Sequence, residues 1–341
     1  MLNRLKPLTL ALFAFSLGGC IFIVNPNEGP VTENPSVDRQ SPQFPKRTPA
    51  FKQILYVDST QGTDTPSAGE IETQPFRTIA YALTQSSPGT VIQLAPGEYS
   101  AETGETFPLK IKPGVTLRGN ERQQGEGVAI IGGGDYLSPT WGKQKVTLLP
   151  GDRTEIAGIT VINPDQSGTG IWVESTNPNI RNSTLTKSGR EGIFVTGTGT
   201  PTIENNRIFE NSGNGISLTH EAAGEIRDNL IENTGFGLAI GGNSTPLVVN
   251  NQIRDNIDGL VISHSSRPIL RENVIANNSR DGLVAIGESQ PDLGTETVSG
   301  KNTFKNNQRY DIHNTAQSPT LRVVGNQLDD SRVIGAEIQL R

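Results

Sequence analysis

A fixed period governs the middle of the chain. Gly followed by Ile or Leu opens a strand-like run at Gly170, Gly192, Gly215, Gly237, Gly259 and Gly282, in steps of 22 or 23 residues. A period of that size marks stacked repeats and excludes an ordinary globular core. A second rhythm fills each unit: Ile203, Asn206, Ile208, Asn211, then Ile226, Asn229, Ile231, Thr234, then Val248, Asn251, Ile253, Asn256, then Leu270, Asn273, Ile275, Asn278. Ile180, Ser183, Leu185 and Ser188 form a weaker first copy. Two short β runs per unit, with Gly or Asn at each corner, leave no room for a helix of ten residues or more. The period is not dominated by Leu, which removes the leucine-rich alternative. What remains is a parallel β-helix, all-β, with one unit per coil and neighbouring coils about 4.8 Å apart. Asn206, Asn229, Asn251 and Asn273 are expected to stack in line at one corner, each in the left-handed conformation that Asn tolerates and bonded to the next amide.

Residues 1–20 have the form of an export signal: Arg4 and Lys6, an apolar core from Leu8 to Leu17, then Leu17-Gly18-Gly19-Cys20. The core is too short to span a bilayer. Its end resembles a bacterial lipobox, which implies that Cys20 is lipidated and becomes the mature N-terminus, facing the periplasm or the cell surface. Cys20 is the single Cys, so stability must come from stacked coils and not from disulfides. Residues 21–50 are Pro-rich, an extended tether. The body is expected over 51–341. Its cap and first coils cover 54–119, its regular repeats 170–281, a polar loop insertion 287–300, and its last coils and C-terminal cap 302–341. Division by the period gives about twelve coils, or roughly 55–60 Å. Phe76, Ile79, Ala80 and Leu83 share one face of a short helix that ends at Pro88-Gly89, suited to covering the open first coil.

Tyr56-Val57-Asp58, Pro75-Phe76-Arg77-Thr78-Ile79, Ala82-Leu83, Gly89-Thr90-Val91-Ile92, Pro96-Gly97-Glu98-Tyr99, Phe107-Pro108-Leu109 and Gly114-Val115-Thr116-Leu117 resemble the bacterial domain of unknown function 1565. With the repeats, the chain resembles the single-stranded right-handed parallel β-helix of the pectin-lyase-like superfamily, and right-handedness is what that resemblance implies. The opening is distantly similar to pectin methylesterases. Their Gln and Asp motifs and their Gly-Arg-Pro-Trp motif are missing, so that activity does not carry over.

The formal charge of −6 argues against a nucleic-acid surface, which needs a basic footprint. Gly132-Gly133-Gly134-Asp135 resembles one fragment of a calcium repeat, and a single copy reads better as a tight corner. His220 and His264 hold the same position two coils apart, about 9.6 Å, too far for one ion. With His313 they read as surface residues, and no metal or cofactor is called for. Trp172 and Phe194, one coil apart, are expected to point outward side by side. Exposed stacked aromatics suit sugar rings, and equally suit packing under a long loop. Asp258 and Asp281 each precede a strand-opening Gly, one coil apart, a place where turns favour Asp without any functional site, and that reading is preferred to the two that follow. Two carboxylates that close repel, which raises the pKa of one and suits acid and base roles in glycosidic cleavage. They also suit part of a calcium site, although the pair supplies at most four of the six to eight oxygens calcium takes. Arg280 and Arg309 stand near enough to offset the charge. Two function classes stay open: a lipid-anchored envelope protein that binds or scaffolds polysaccharide without cleaving it, and a polysaccharide hydrolase or lyase. The first is favoured because no catalytic constellation is readable.

Overall fold

Each regular coil contains three short strands. Ile203 and Ile208 lie on separate strands, Thr202–Glu204 and Arg207–Phe209, because the chain turns at Asn205-Asn206 between them. The third strand of the coil, Ile216–Leu218, carries the Gly-Ile signature. The two strand runs expected per unit are therefore corrected to three. The computed structural model describes residues 52–317, 320–335 and 338–340. Cys20, the signal segment 1–20 and the tether 21–50 lie outside the described residues.

Successive coils pair in parallel, residue on residue: Ile203 with Ile226, Ile208 with Ile231, Ile216 with Leu238. Stacking gives two nine-stranded sheets and a third whose parallel path has ten strands, with one antiparallel strand added at its side. Ten coil levels span roughly 45 Å, not the twelve that division by the period suggests. The difference sits in segments that add residues without adding coils, chiefly the loop after Val57, the excursion from Gly132 to Val146 and the 287–300 insertion. The interior is a column of branched side chains, Ile180, Ile203, Ile226, Val248 and Leu270 on the first sheet and Leu185, Ile208, Ile231, Ile253 and Ile275 on the second, all 0–1% exposed.

The Asn ladder forms between the first two sheets, in a different conformation from the one expected. The left-handed residue is the one before each ladder member: Asn205, Asp228, Asn250 and Glu272 have φ of 52–58°. The kink at that residue turns the following Asn inward. Asn229 Oδ1 then accepts the Asn206 backbone N–H at 3.0 Å and the Asn206 amide at 3.1 Å, while Asn229 Nδ2 donates to Ile203 O at 2.8 Å. The pattern repeats through Asn251, Asn273, Asn302 and Asn326. A second ladder, between the second and third sheets, runs Asn256–Asn278–Asn307, with Thr234 in place of an Asn above it. Buried amides stay satisfied because every coil repeats the same donor and acceptor.

The recurrent Gly has a steric cause. A Cβ on Gly237 would lie 2.5 Å from Ile253 Cγ2 and 2.7 Å from Gly259 O, at the corner where the chain enters the third sheet. The helix forms over Ile79–Gln85 and buries Ile79, Ala82 and Leu83 against the first coil; Thr78 caps it by accepting from Tyr81 N. Phe76 stays outside the helix and bridges to Val57. The Gly132-Gly133-Gly134 stretch is not a simple corner: it launches a hairpin, Gly134–Ser138 against Gly142–Pro150. The 287–300 insertion is only partly a surface loop. Asp292 takes a bridge to Ile269 on the first sheet, and Leu293 is fully buried in the core.

Candidate functional site

The outer faces of the three sheets differ sharply. On the first, Arg181 pairs with Glu155 at 2.5 Å and Arg227 with Glu204 and Glu225. On the second, Glu232 sits between Arg207 and Arg254 at 3.2 and 2.6 Å. These are ladders of alternating charge, with the carboxylates partly or, at Glu232, almost fully buried beneath their arginines. On the third, the register stacks Trp172, Phe194, Ser217, Ala239, Val261, Val284, His313 and Ile334 in one column. Both Trp and all three His of the chain lie on or over this face.

Trp172 and Phe194 do stack, with centroids 4.3 Å apart and planes 10° off parallel. Of the two readings open for an outward-facing pair, packing under a long loop is the one that holds, and the sugar-binding one is corrected: Trp172 is 0% and Phe194 5% exposed. The hairpin lies across them, with Tyr136 against Trp172 and Trp141 edge-on to Phe194 at 5.4 Å. Glu174 fastens it. Its carboxylate accepts from Trp172 Nε1 at 2.8 Å, Ser138 Oγ at 2.6 Å and Thr140 Oγ1 at 2.8 Å. Thr140 continues the network to Thr196, and Thr196 to His220 Nδ1 at 3.1 Å. The pair is therefore a small second core.

The face opens past the hairpin. Its floor is small: Ser217, Ala239, Gly241, Val261 and Ser263, then Val284. One rim carries His220 and His264, both exposed, with His264 Nδ1 at 3.0 Å from Ser263 Oγ. They occupy equivalent corners with Gly242 between them, two coils apart. The other rim carries Phe236, Ile257, Arg280, Arg309 and Tyr310.

Asp258 and Asp281 lie beneath that second rim, one coil apart as expected, and are 1% and 0% exposed. Each is gripped from the following coil. Arg280 Nε donates to Asp258 Oδ1 at 3.1 Å, with Nη2 on Oδ2, and Asp281 N donates to Asp258 Oδ1 at 3.1 Å. Arg309 Nε donates to Asp281 Oδ1 at 2.9 Å, with Nη2 on Oδ2; Tyr310 N and His313 Nδ1 add bonds of 3.2 and 3.3 Å. Burial pushes the Asp281 carboxyl up, but hydrogen bonding to Arg309 and its charge, followed by His313, outweigh burial and hold it below the usual carboxylate range. The expected mutual repulsion is thus corrected: a guanidinium intervenes at each carboxylate, and Asp281 is kept ionised rather than protonated. A carboxyl that burial does push up, to about 7, is Glu105, which accepts from Ile79 N at 2.6 Å and Ala80 N at 3.0 Å under the capping helix. That places it in the first coils, away from this face. Among the described residues no three of His, Cys, Asp and Glu are grouped to hold a metal ion.

Sequence reasoning misses His313. It reads His313 only as a surface residue, yet the Nδ1 bonds Asp281 and the ring packs beside Tyr310 at 5.5 Å. The signal is present in the spacing, since His313 follows the strand-opening pattern two residues after Asp311, but the 29-residue coil hides the register.

Comparison with known proteins agrees with the architecture. The profile of the family described as "Protein of unknown function (DUF1565)" matches residues 60–333. The chain belongs to the DUF1565 family. Among solved structures, pectate lyase Pel9A matches at 13% identity and a TM-score of 0.57, over 84% of this chain and 82% of that one. A single-site mutant of the periplasmic alginate epimerase AlgG matches at 13% identity and a TM-score of 0.45, over 74% of each chain. No curated protein matches. The DUF1565 body is thus a right-handed parallel β-helix of the pectate-lyase-like kind, with one helix near its start.

Proposed function

We propose that this DUF1565 protein is an exported lipoprotein, anchored through Cys20, that binds polysaccharide on the open half of its third sheet without cleaving it. The observation that carries this reading is the gathering of all three His, Phe236, Tyr310 and the Arg280–Arg309 rim around the open half of one face, while the other two faces carry alternating ion pairs. A flat floor of small side chains between polar and aromatic rims admits an extended chain of rings. Polysaccharide as the ligand class also follows the name of the pectate lyase that shares the fold. Binding without cleavage is favoured because glycosidic hydrolysis needs one carboxyl protonated near neutral pH, and Asp258 and Asp281 are committed to guanidinium partners. The Pro-rich 21–50 segment serves as the tether.

One observation favours the second reading, a polysaccharide-degrading enzyme. His313 donates Nδ1–H to Asp281, and its other ring nitrogen has no partner among the described residues; a carboxylate-held imidazole of that kind is a ready general base. A panel of polysaccharides incubated with the purified protein separates the two. The proposal expects retention of a polymer with no new reducing ends and no unsaturated products. Cleavage that disappears in His313→Gln replaces the proposal with the second reading. Cys20→Ala is expected to lose lipid labelling and leave the membrane fraction; unchanged membrane association contradicts the anchor.

A further inference from the structure

The Arg280–Arg309 rim has a polarity that its formal neutrality conceals. Its carboxylates are underneath and its guanidiniums on top: Asp258 and Asp281 are 1% and 0% exposed at the side chain, Arg280 and Arg309 45% and 49%. An approaching group meets the cationic end of each pair first. Each Arg spends Nε and Nη2 on its carboxylate; Nη1 has no partner among the described residues and remains a donor. The fork geometry fixes the guanidinium plane before any ligand arrives, so little orientational entropy is left to lose. The two arginines are one coil apart in register, about 4.8 Å along the axis, close to the length of one sugar unit in an extended chain. His313 lies next to Arg309's carboxylate partner on the floor, and the Arg309 guanidinium sits 5.7 Å from the Tyr310 ring. Past Arg309 the next coil brings Arg332, which lies 3.8 Å from the buried Asp311 and donates to Arg309 O at 3.2 Å, with Asp329 and Asp330 in the turn just before it. A chain with a net charge of −6 thereby presents a strip of positive character.

We propose that this rim selects acidic polysaccharide, polymers that carry a carboxylate or a sulfate on successive sugars, with Arg280 and Arg309 as its specificity-determining residues. The inference rests on the reading of the open face as a polysaccharide-binding surface. Successive anionic groups would meet successive Nη1 donors, and the small floor would hold the ring faces.

The test is affinity electrophoresis of the full chain in gels with polygalacturonate, dextran sulfate or neutral dextran and xyloglucan, at low and raised salt. At least one acidic polymer is expected to retard the protein, and retardation should fall severalfold or more between about 50 and 500 mM salt as exposed charges are screened. Retardation by polygalacturonate alone assigns the carboxylate, and by dextran sulfate alone the sulfate. Arg280→Gln is expected to weaken acidic binding at least tenfold. Because that change strips the partner of a buried Asp, Asp281→Asn/Arg309→Gln, which removes both charges of one pair together, serves as the second variant; the same loss is expected, with thermal unfolding recorded for each. Binding of the neutral polymers as tight as that of the acidic ones, or acidic binding that both folded variants retain, overturns the selection while leaving the face reading intact. Failure of every polymer to bind overturns both.

Discussion

The two halves of the third sheet's outer face begin from the same backbone and end differently. In the first, Trp172 and Phe194 project from the strands and are sealed by a hairpin, Tyr136, Trp141 and the Glu174 hydrogen bonds. In the second, the same column continues through Ser217, still buried, to Ala239, Val261 and Val284, over which no hairpin lies among the described residues, and the rims supply Arg, His and aromatic groups. Large apolar side chains on an outer face call for a cover, since exposing that much apolar surface is unfavourable. Small ones do not, and a face that does not need to be covered for stability is free to bind. The lesson is that the conspicuous aromatic pair is structural, and that the inconspicuous small residues beside it mark the working surface.

That contrast is most easily broken at Trp172. Trp172→Ala empties the space under the hairpin and is expected to cost about 3–5 kcal/mol, read by denaturant unfolding. A cost below about 1 kcal/mol would place the aromatic pair outside any core. Asp281→Asn comes next, at about 2 kcal/mol. Breaking a buried pair costs about 3–5 kcal/mol, and the half-exposed Arg309 recovers part of this by solvation. The folded-state pKa of Asp281 is lowered from 3.8, so its stabilisation is fully present above that value and is lost as pH falls through the lower folded value. Melting temperatures from pH 5 down to pH 2 should therefore fall more steeply for wild type than for Asp281→Asn; parallel curves would remove the ion pair from the account.

Asn251→Leu tests what lies beneath both halves. It leaves the Asn229 amide and backbone N–H without their acceptor, at an expected cost of about 1–3 kcal/mol. Exposed Asn243→Ala should stay within about 0.5 kcal/mol. Equal and small effects at the two positions would deny the ladder its role. Val261→Ala is the smallest change, below about 1 kcal/mol, because the side chain is already half-buried on an uncovered face. A loss as large as that of Trp172→Ala would show that the open half is itself under cover.

Much of this was legible because a solenoid writes its register into the chain. The Gly170-to-Gly282 period predicts the third sheet, and Asn206, Asn229, Asn251 and Asn273 stack as their spacing implies. The left-handed kink moved to Asn205, Asp228, Asn250 and Glu272, because an inward Asn must already have its side chain aimed along the stack. Sequence pattern does not separate the kinked residue from its neighbour. That Trp172 and Phe194 are covered was one of two readings open to the sequence, but what covers them was illegible for another reason. Their cover comes from Tyr136 and Trp141, on a hairpin that obeys no repeat. The Arg280–Asp258 and Arg309–Asp281 pairs fall between: the offsets were readable, whereas which group ends on the outside depends on how the corner turns.

The central claim, that the open half of the third sheet binds polysaccharide, is tested most directly by Ala239→Gln. Ala239 sits in the middle of the floor between Ser217 and Val261, and a longer neutral side chain there obstructs a bound polymer without altering charge. Affinity for whichever polysaccharide the wild-type protein retains is predicted to fall at least tenfold while the melting temperature stays within about 2 °C. Unchanged affinity in a variant that melts like wild type would contradict the claim and move binding to another surface.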